Sequence, residues 1–177
     1  MKKLIKNGFV IDGSGEKRYK ADVLINGDKI EKIGTIDNVE GAEVIDAAGK
    51  IVAPGFIDTH SHSDLKVLIE PFIEPKLRQG ITTEILGQDG ISMAPLPKEF
   101  VSSWRKNLAG LDGDSDLLTW DWETTDKYLD LIAKTGSGPN EMYLVPHGNI
   151  RMEAMGLEAR VATDEELAKM RDITRNR

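Results

Sequence analysis

The sequence predicts an α/β fold entered through a small β module, and three observations carry that prediction. The first fifty residues are short segments rich in Ile and Val, joined by tight-turn signals. From Pro54 onward, apolar β-like runs alternate with helix-like stretches, a pattern that implies parallel strands joined by crossover connections. Between the two textures lies the Gly- and Pro-containing passage AAGKIVAPGF, which reads as a boundary.

The elements follow in order. LIKNGFVID, ADVLING and DKIEKIG read as strands, with Asn26, Gly27 and Asp28 supplying a hairpin turn between the last two. AEVIDA reads as a further strand. GFIDTH is the first β-like run after the boundary, and DLKVLIEPFIEPKLRQG follows as short helical pieces broken at Pro71 and Pro75 and stopped at Gly80. ITTEILGQDG is the second run. The polar stretch PLPKEFVSSWRKNLAGLDGDSDLLTWDWE is too long for a plain connection and reads as a functional loop with some helix of its own. TTDKYLDLIAKTG is an amphipathic helix, with Tyr128, Leu129, Ile132 and Ala133 at helical spacing and Gly136 as its stop. EMYLVPHG is the third run. Thr163 and Glu166 then stand at capping-box spacing and open a last helix.

Bulk composition excludes several classes of function. Lys plus Arg number 23 against 30 Asp plus Glu, a formal net charge of -7, which disfavours nucleic acid as a partner. There is no cysteine, so disulfides, thiolate metal sites and cysteine nucleophiles are all removed, and a metal must bind through His, Asp or Glu. Lys6, Asn7 and Gly8 interrupt the apolar residues near the start, so that segment lacks the core of a signal peptide. No run approaches the ~20 apolar residues of a membrane span. A cytoplasmic protein without a membrane partner is therefore expected.

The chemistry concentrates at the exits of the three later runs. PGFIDTHSHSD presents His60 and His62 on one side of an extended segment, with Ser61 opposite. Two adjacent imidazoles each bring a ring nitrogen that needs a partner, and a divalent cation satisfies both lone pairs at once. A pair of exposed loop histidines is the competing reading. EILGQDG delivers Asp89 on a glycine-flanked exit, although an Asp-Gly pair is also an ordinary turn. The third run leads to His147, with Arg151 shortly after, and a structural histidine is equally compatible there. All three histidines of the chain thus fall at predicted strand exits, where barrel enzymes place their working groups. Glu84 reads either as a buried acid that needs a partner or as an outward-facing strand residue. Trp104, Trp120 and Trp122 read as core packing. The G-x-G of IDGSGEK lacks the strand-to-helix setting of a nucleotide fingerprint.

VIDAAGKIVAPGFIDTHSHSD resembles the entry to the metal-dependent barrel of the amidohydrolase superfamily. LRQGITTEILGQDGISMAP, VPHGNIR and ATDEELAKM are similar to the N-acyl-D-amino-acid deacylase (D-aminoacylase) branch. The resemblance spans nearly the whole chain apart from the loop around WRKNLAGLDGDSD. It implies strands of a small β-sandwich over residues 1–53, followed over 54–177 by the first three βα units of a (β/α)8 TIM barrel. It also implies hydrolysis of the amide bond of a small N-acyl-D-amino acid by metal-activated water.

By the same resemblance, His60, His62 and Asp89 are the metal ligands, and His147 and Arg151 stand on the substrate side. Asp89 occupies the place of a cysteine in the GNCG segment usual in that branch. The exchange replaces a soft ligand with a hard one, so zinc is the expected metal with manganese or iron as alternatives. The barrel requires eight strands, so the remaining ligands and the general-base aspartate are expected beyond Arg177, and the chain is expected to end inside the third barrel helix. Two alternatives stay open: a cyclic amidase of the dihydroorotase or hydantoinase kind, and a truncated product without catalysis.

Overall fold

The computed structural model describes residues 1–175 as two compact units, Met1–Pro54 and the chain from Gly55 onward. Its elements are mixed α/β, the class that the sequence predicts.

The first unit is one sheet. β1 (Lys2–Val10) pairs antiparallel with β2 (Tyr19–Asn26), which pairs antiparallel with β3 (Lys29–Gly34). The β2–β3 hairpin turns through Gly27 and Asp28, with Gly27 at φ 64°, a conformation that glycine adopts without steric cost. On the other edge β1 pairs in parallel with β4 (Ala42–Asp46) and then with β5 (Ile51–Val52). The passage read as a boundary therefore also contributes a short strand. β1 changes register at Asn7 and Gly8, where Asn7 has φ 64° and its amide donates to Asp22 Oδ1 at 2.9 Å. A Cβ on Gly8 would lie 2.5 Å from Val52 Cγ2, so any larger residue would have to displace the Val52 side chain of β5. Leu4, Leu24 and Ile36 form the buried centre of this unit.

The second unit is built on three parallel strands in sequential order: β6 (Phe56–Asp58), β7 (Ile81–Leu86) and β8 (Asn140–Tyr143). The connection from β6 to β7 carries two single-turn helices, α1 (Lys66–Ile69) and α2 (Glu74–Leu77). The connection from β7 to β8 carries α3 (Val101–Leu108) and α4 (Thr125–Thr135). α4 opens where Thr124 accepts a hydrogen bond from the Lys127 amide and closes at Gly136 with φ 83°, the start and stop that its sequence signals. α6 (Asp164–Arg175) opens on a formed capping box: Thr163 N–H donates to Glu166 Oε2 at 2.8 Å, and Glu166 N–H donates to Thr163 Oγ1 at 3.2 Å.

Both outer runs extend as strand for less than their sequence patterns suggest. β6 stops at Asp58 and β8 at Tyr143, and Pro146 lacks the N–H needed to continue a ladder. α5 (His147–Met155) begins immediately after that proline and ends at Gly156, φ 74°. A proline before a helix and a glycine after it are the signals that mark this element.

The core of this unit gathers Leu65, Leu86, Met93, Leu108, Tyr128 and Met152 with the tryptophans Trp104, Trp120 and Trp122. The indoles also tie the loop after β7, because Trp104 donates to Ser92 O at 2.7 Å and Trp122 to Met93 O at 2.9 Å. Asn149 of α5, fully buried, accepts from Ser92 N–H and donates to Ser92 O and Pro95 O. The loop that follows Asp89 is thereby held by several elements at once.

Candidate metal centre

The site lies just past the C-terminal ends of β6 and β7. After β6 the His60 amide donates to Asp58 Oδ1 at 3.2 Å, which turns the chain as it leaves the sheet. After β7 the segment Gly87–Gly90 folds into a 3-10 turn with φ of 77° at Gly87, 57° at Asp89 and 76° at Gly90. A Cβ at Gly87 would fall 2.0 Å from Leu144 O, so glycine is required there. Asp89 tolerates the left-handed region better than most residues. Gln88 Nε2 donates to Thr59 O at 3.0 Å and to Ile85 O at 2.8 Å, joining the two exits.

This arrangement brings His60, His62 and Asp89 together. His60 Nε2 lies 3.3 Å and His62 Nε2 3.1 Å from the same atom, Asp89 Oδ2. The ring centroids are 5.3 Å apart. His60 and Asp89 are open to solvent, whereas only 20% of the His62 side chain is exposed.

Behind His62 stand two further carboxylates that were not assigned a role from the sequence. Asp64 Oδ1 accepts from Gly87 N–H at 2.9 Å and from the Ser92 hydroxyl, while Asp64 Oδ2 is buried without a hydrogen-bond partner among the described residues. Burial raises the pKa of Asp64. Asp112, in the loop after α3, places Oδ1 3.4 Å from His62 Nδ1. Burial and the neighbouring charge of Asp64 push the Asp112 carboxyl up to about 6, against the opposing influence of His62. Asp64 follows the histidines directly in sequence, but nothing in the local pattern around Asp112 reveals that it turns inward.

Donor and acceptor chemistry tests whether these groups fit a cation. A neutral imidazole has one N–H and one lone pair. With the proton of His62 on Nδ1, facing Asp112, its Nε2 lone pair is directed at a carboxylate oxygen that carries only lone pairs. A cation between Nε2 and Asp89 Oδ2 removes that conflict, and the nitrogen of His60 is available on the same side. Two imidazoles and a carboxylate suit zinc and also accept manganese or iron. The described residues therefore fit a divalent metal.

The other candidates from the sequence surround this centre. His147 is exposed at the first position of α5. The helix start lies against the Asp89 turn so closely that a Cβ on Gly148 would be 2.7 Å from Gly90 O. Arg151 directs its guanidinium to Glu158 O at 2.9 Å and Arg160 O at 2.5 Å. Glu84 is fully buried and meets Lys76 Nζ at 2.6 Å and the Ser61 hydroxyl, so of its two readings the buried acid is the one observed.

Comparisons with known proteins agree on one family. The model of the amidohydrolase family matches residues 43–177. A D-aminoacylase from Alcaligenes xylosoxydans xylosoxydans is 36% identical over 170 residues, 96% of this chain and 34% of its own length. An N-acyl-D-glutamate deacylase from the same organism is 41% identical over 152 residues, 86% of this chain and 30% of its own. The crystal structure of an N-acyl-D-glutamate deacylase from Bordetella bronchiseptica, complexed with zinc and a phosphonate inhibitor that mimics the tetrahedral intermediate, superposes with a TM-score of 0.82. It is 34% identical, and the match covers 96% of this chain and 34% of that one. The chain spans about a third of the length of these relatives.

Proposed function

We propose that this chain, which belongs to the amidohydrolase family, forms the metal-binding entry of a deacylase that hydrolyses the amide bond of N-acyl-D-amino acids. The observation that carries the reading is the convergence of His60 Nε2 and His62 Nε2 on Asp89 Oδ2. The extent of similarity to D-aminoacylase and N-acyl-D-glutamate deacylase supports the linear amide as substrate.

In this reading residues 1–53 are strands of a small β-sandwich, and 54–177 are the first three βα units of a (β/α)8 barrel. Three sequential parallel strands with helical crossovers support the barrel, as does a site beyond their C-terminal ends. The missing strands, the remaining ligands and the general-base aspartate belong to chain outside residues 1–177.

His60, His62 and Asp89 hold the metal, which we assign as zinc by analogy with the Bordetella bronchiseptica relative. A divalent ion bound there supplies Lewis acidity, polarising the scissile carbonyl and lowering the pKa of water. The carboxylate of Asp89 offsets part of the cation's charge. His147, beside the Asp89 turn, orients the acyl oxygen or the carboxylate of the substrate. Arg151 serves the same side through the segment 158–160, whose carbonyls it holds. The general base takes a proton from water as its oxygen adds to the carbonyl carbon, and gives that proton to the leaving amine as the C–N bond breaks.

The test is hydrolysis of N-acetyl-D-amino acids by the full-length protein, set against cyclic amides, with metal content measured in parallel. The expected result is deacylation of the linear substrates, with metal content and activity both lost in His60→Ala. Turnover of cyclic amides alone, or a normal metal content in His60→Ala, overturns the reading.

A further inference from the structure

We propose that Asp112 is the positioning residue for His62: it accepts the Nδ1 proton and so presents the Nε2 lone pair to the metal held with His60 and Asp89. The proposal rests on the metal-centre reading above and adds to it a residue that the sequence alone left without a role.

The loop is built to deliver this one carboxylate inward. Leu108 at the end of α3 is fully buried, and the amides of Leu111 and Asp112 both donate to Leu108 O at 2.9 Å. Gly113, at φ 87°, then reverses the path. The next two acids point the other way: Arg105 of α3 binds Asp114 through Nε at 2.6 Å and Asp116 through a terminal nitrogen at 2.5 Å. Trp120 Nε1 fastens Ser115 O at 2.8 Å. Three aspartates within five residues thus separate into two on the surface and one inside.

Among the described residues no Lys or Arg pairs with the inward residue, and its one ion-pair neighbour is His62. The Asp112 side chain has no exposed surface, and burying a carboxylate costs several kcal/mol unless something compensates. Among the described residues neither of its oxygens has a hydrogen-bond partner, and the same is true of His62 Nδ1. These two unsatisfied groups face each other at 3.4 Å. That separation is slightly longer than a formed N–H···O bond, so the two groups stand within reach of each other without one. Asp64 is already engaged through Oδ1, which accepts from Gly87 and Ser92, and it is Asp112 that approaches the His62 ring nitrogen. A carboxylate on the far nitrogen of a ligating histidine fixes the tautomer and raises the basicity of the ligating nitrogen.

The experiment is a zinc titration of metal-free full-length protein against a chromophoric chelator. It compares wild type with Asp112→Ala, Asp112→Asn and, as a control in the same loop, Asp114→Ala. Nitrogen NMR of the His62 ring reports the tautomer, and thermal melts of the metal-free variants check folding. Asp112→Ala is expected to weaken zinc binding by roughly 10–100-fold and to mix the His62 tautomers. Asp112→Asn, which keeps an acceptor, should lose less and hold the Nδ1–H form, and Asp114→Ala should bind like wild type. If Asp112→Ala does not fold, the Asn variant and its ring spectrum decide the question.

Unchanged zinc affinity and an unchanged tautomer in a folded Asp112 variant overturn the proposal while leaving the metal centre intact. Loss of a separate second equivalent of zinc, with the first site unaffected, also overturns it, because Asp112 then serves a cation of its own. A wild type that binds no zinc, or a His62→Ala variant that binds it like wild type, overturns the metal reading and this proposal with it.

Discussion

Asp58 and Glu84 stand in register on the parallel strands β6 and β7, and both bind the ammonium of Lys76, at 2.9 Å and 2.6 Å. The hydrogen bond from Lys76 holds the Asp58 carboxyl below the usual carboxylate range despite burial. Burial works against the ammonium, but its hydrogen bonds to the two acids outweigh that and raise its pKa. Lys76→Met leaves two inward carboxylates without this counter-charge. It is expected to destabilise the protein by about 3–5 kcal/mol, the usual cost of breaking a buried ion pair. Combining it with Glu84→Gln should recover part of the loss in urea unfolding. Equal stability of the wild type and the Lys76 variant would show that solvent already screens this group.

Glu141 extends the same row, opposite Glu84 on β8. Burial pushes its carboxyl up to about 7; the hydrogen bond from Ser137 opposes this, and the charge of Glu84 adds to it. An acid with a raised folded-state pKa retains its proton longer when folded than when unfolded. Stability therefore falls as pH rises from about 4.5 toward 7, and the loss is complete above that window. Glu141→Gln should flatten this slope and gain about 1–2 kcal/mol at pH 8, after allowance for the partial exposure of the group. Parallel urea-unfolding curves for the two proteins across that pH range would contradict the assignment.

How much of this was legible in the sequence depends on how local the cause is. The three parallel strands and α4 were readable because their apolar spacing, caps and stops lie within each segment, and α6 because its capping box does. The approach of His60 and His62 to Asp89 was readable because each follows directly on a β-like run. The lengths of β6 and β8 were not, since pairing partners decide where a strand ends. α5 was passed over because three of its four buried positions belong to Asn149 and to methionines, which carry weak periodic signal. Asp112 was invisible for a different reason: only the tertiary path of its loop distinguishes it from the exposed Asp114 and Asp116.

In the proposed centre, the hardness of Asp89 as a ligand sets the metal preference. Asp89→Cys should shift the ratio of zinc to manganese affinity toward zinc by about tenfold or more, because thiolate is the softer ligand. The backbone opposes the exchange slightly, since Asp89 sits at φ 57° and a residue without a short polar side chain costs about 1–2 kcal/mol in that region. Thermal melting of the metal-free variant isolates this backbone cost, and competitive titration with the two metals isolates the preference. An unchanged ratio would remove Asp89 from the ligand set.

Gly148 offers the sharpest separation between helix propensity and site geometry. It lies inside α5, where replacing glycine by alanine ordinarily stabilises by about 1 kcal/mol. Here the added Cβ would come within 2.7 Å of Gly90 O and 3.4 Å of Ile91 Cγ2. The obstructing atom is backbone, in a turn already pinned by Gln88 to Thr59 and Ile85, so it cannot rotate aside as a side chain would. Either α5 or the Asp89 turn must move, and such overpacking costs typically ~1–3 kcal/mol. The steric term therefore exceeds the propensity gain. Gly148→Ala is expected to lower urea stability in the metal-free protein and, by displacing Asp89, to weaken zinc binding as well. Gly148→Ala with increased stability and unaltered zinc affinity would mean that the helix start is free to slide, and that the contact between α5 and the Asp89 turn does not constrain the site.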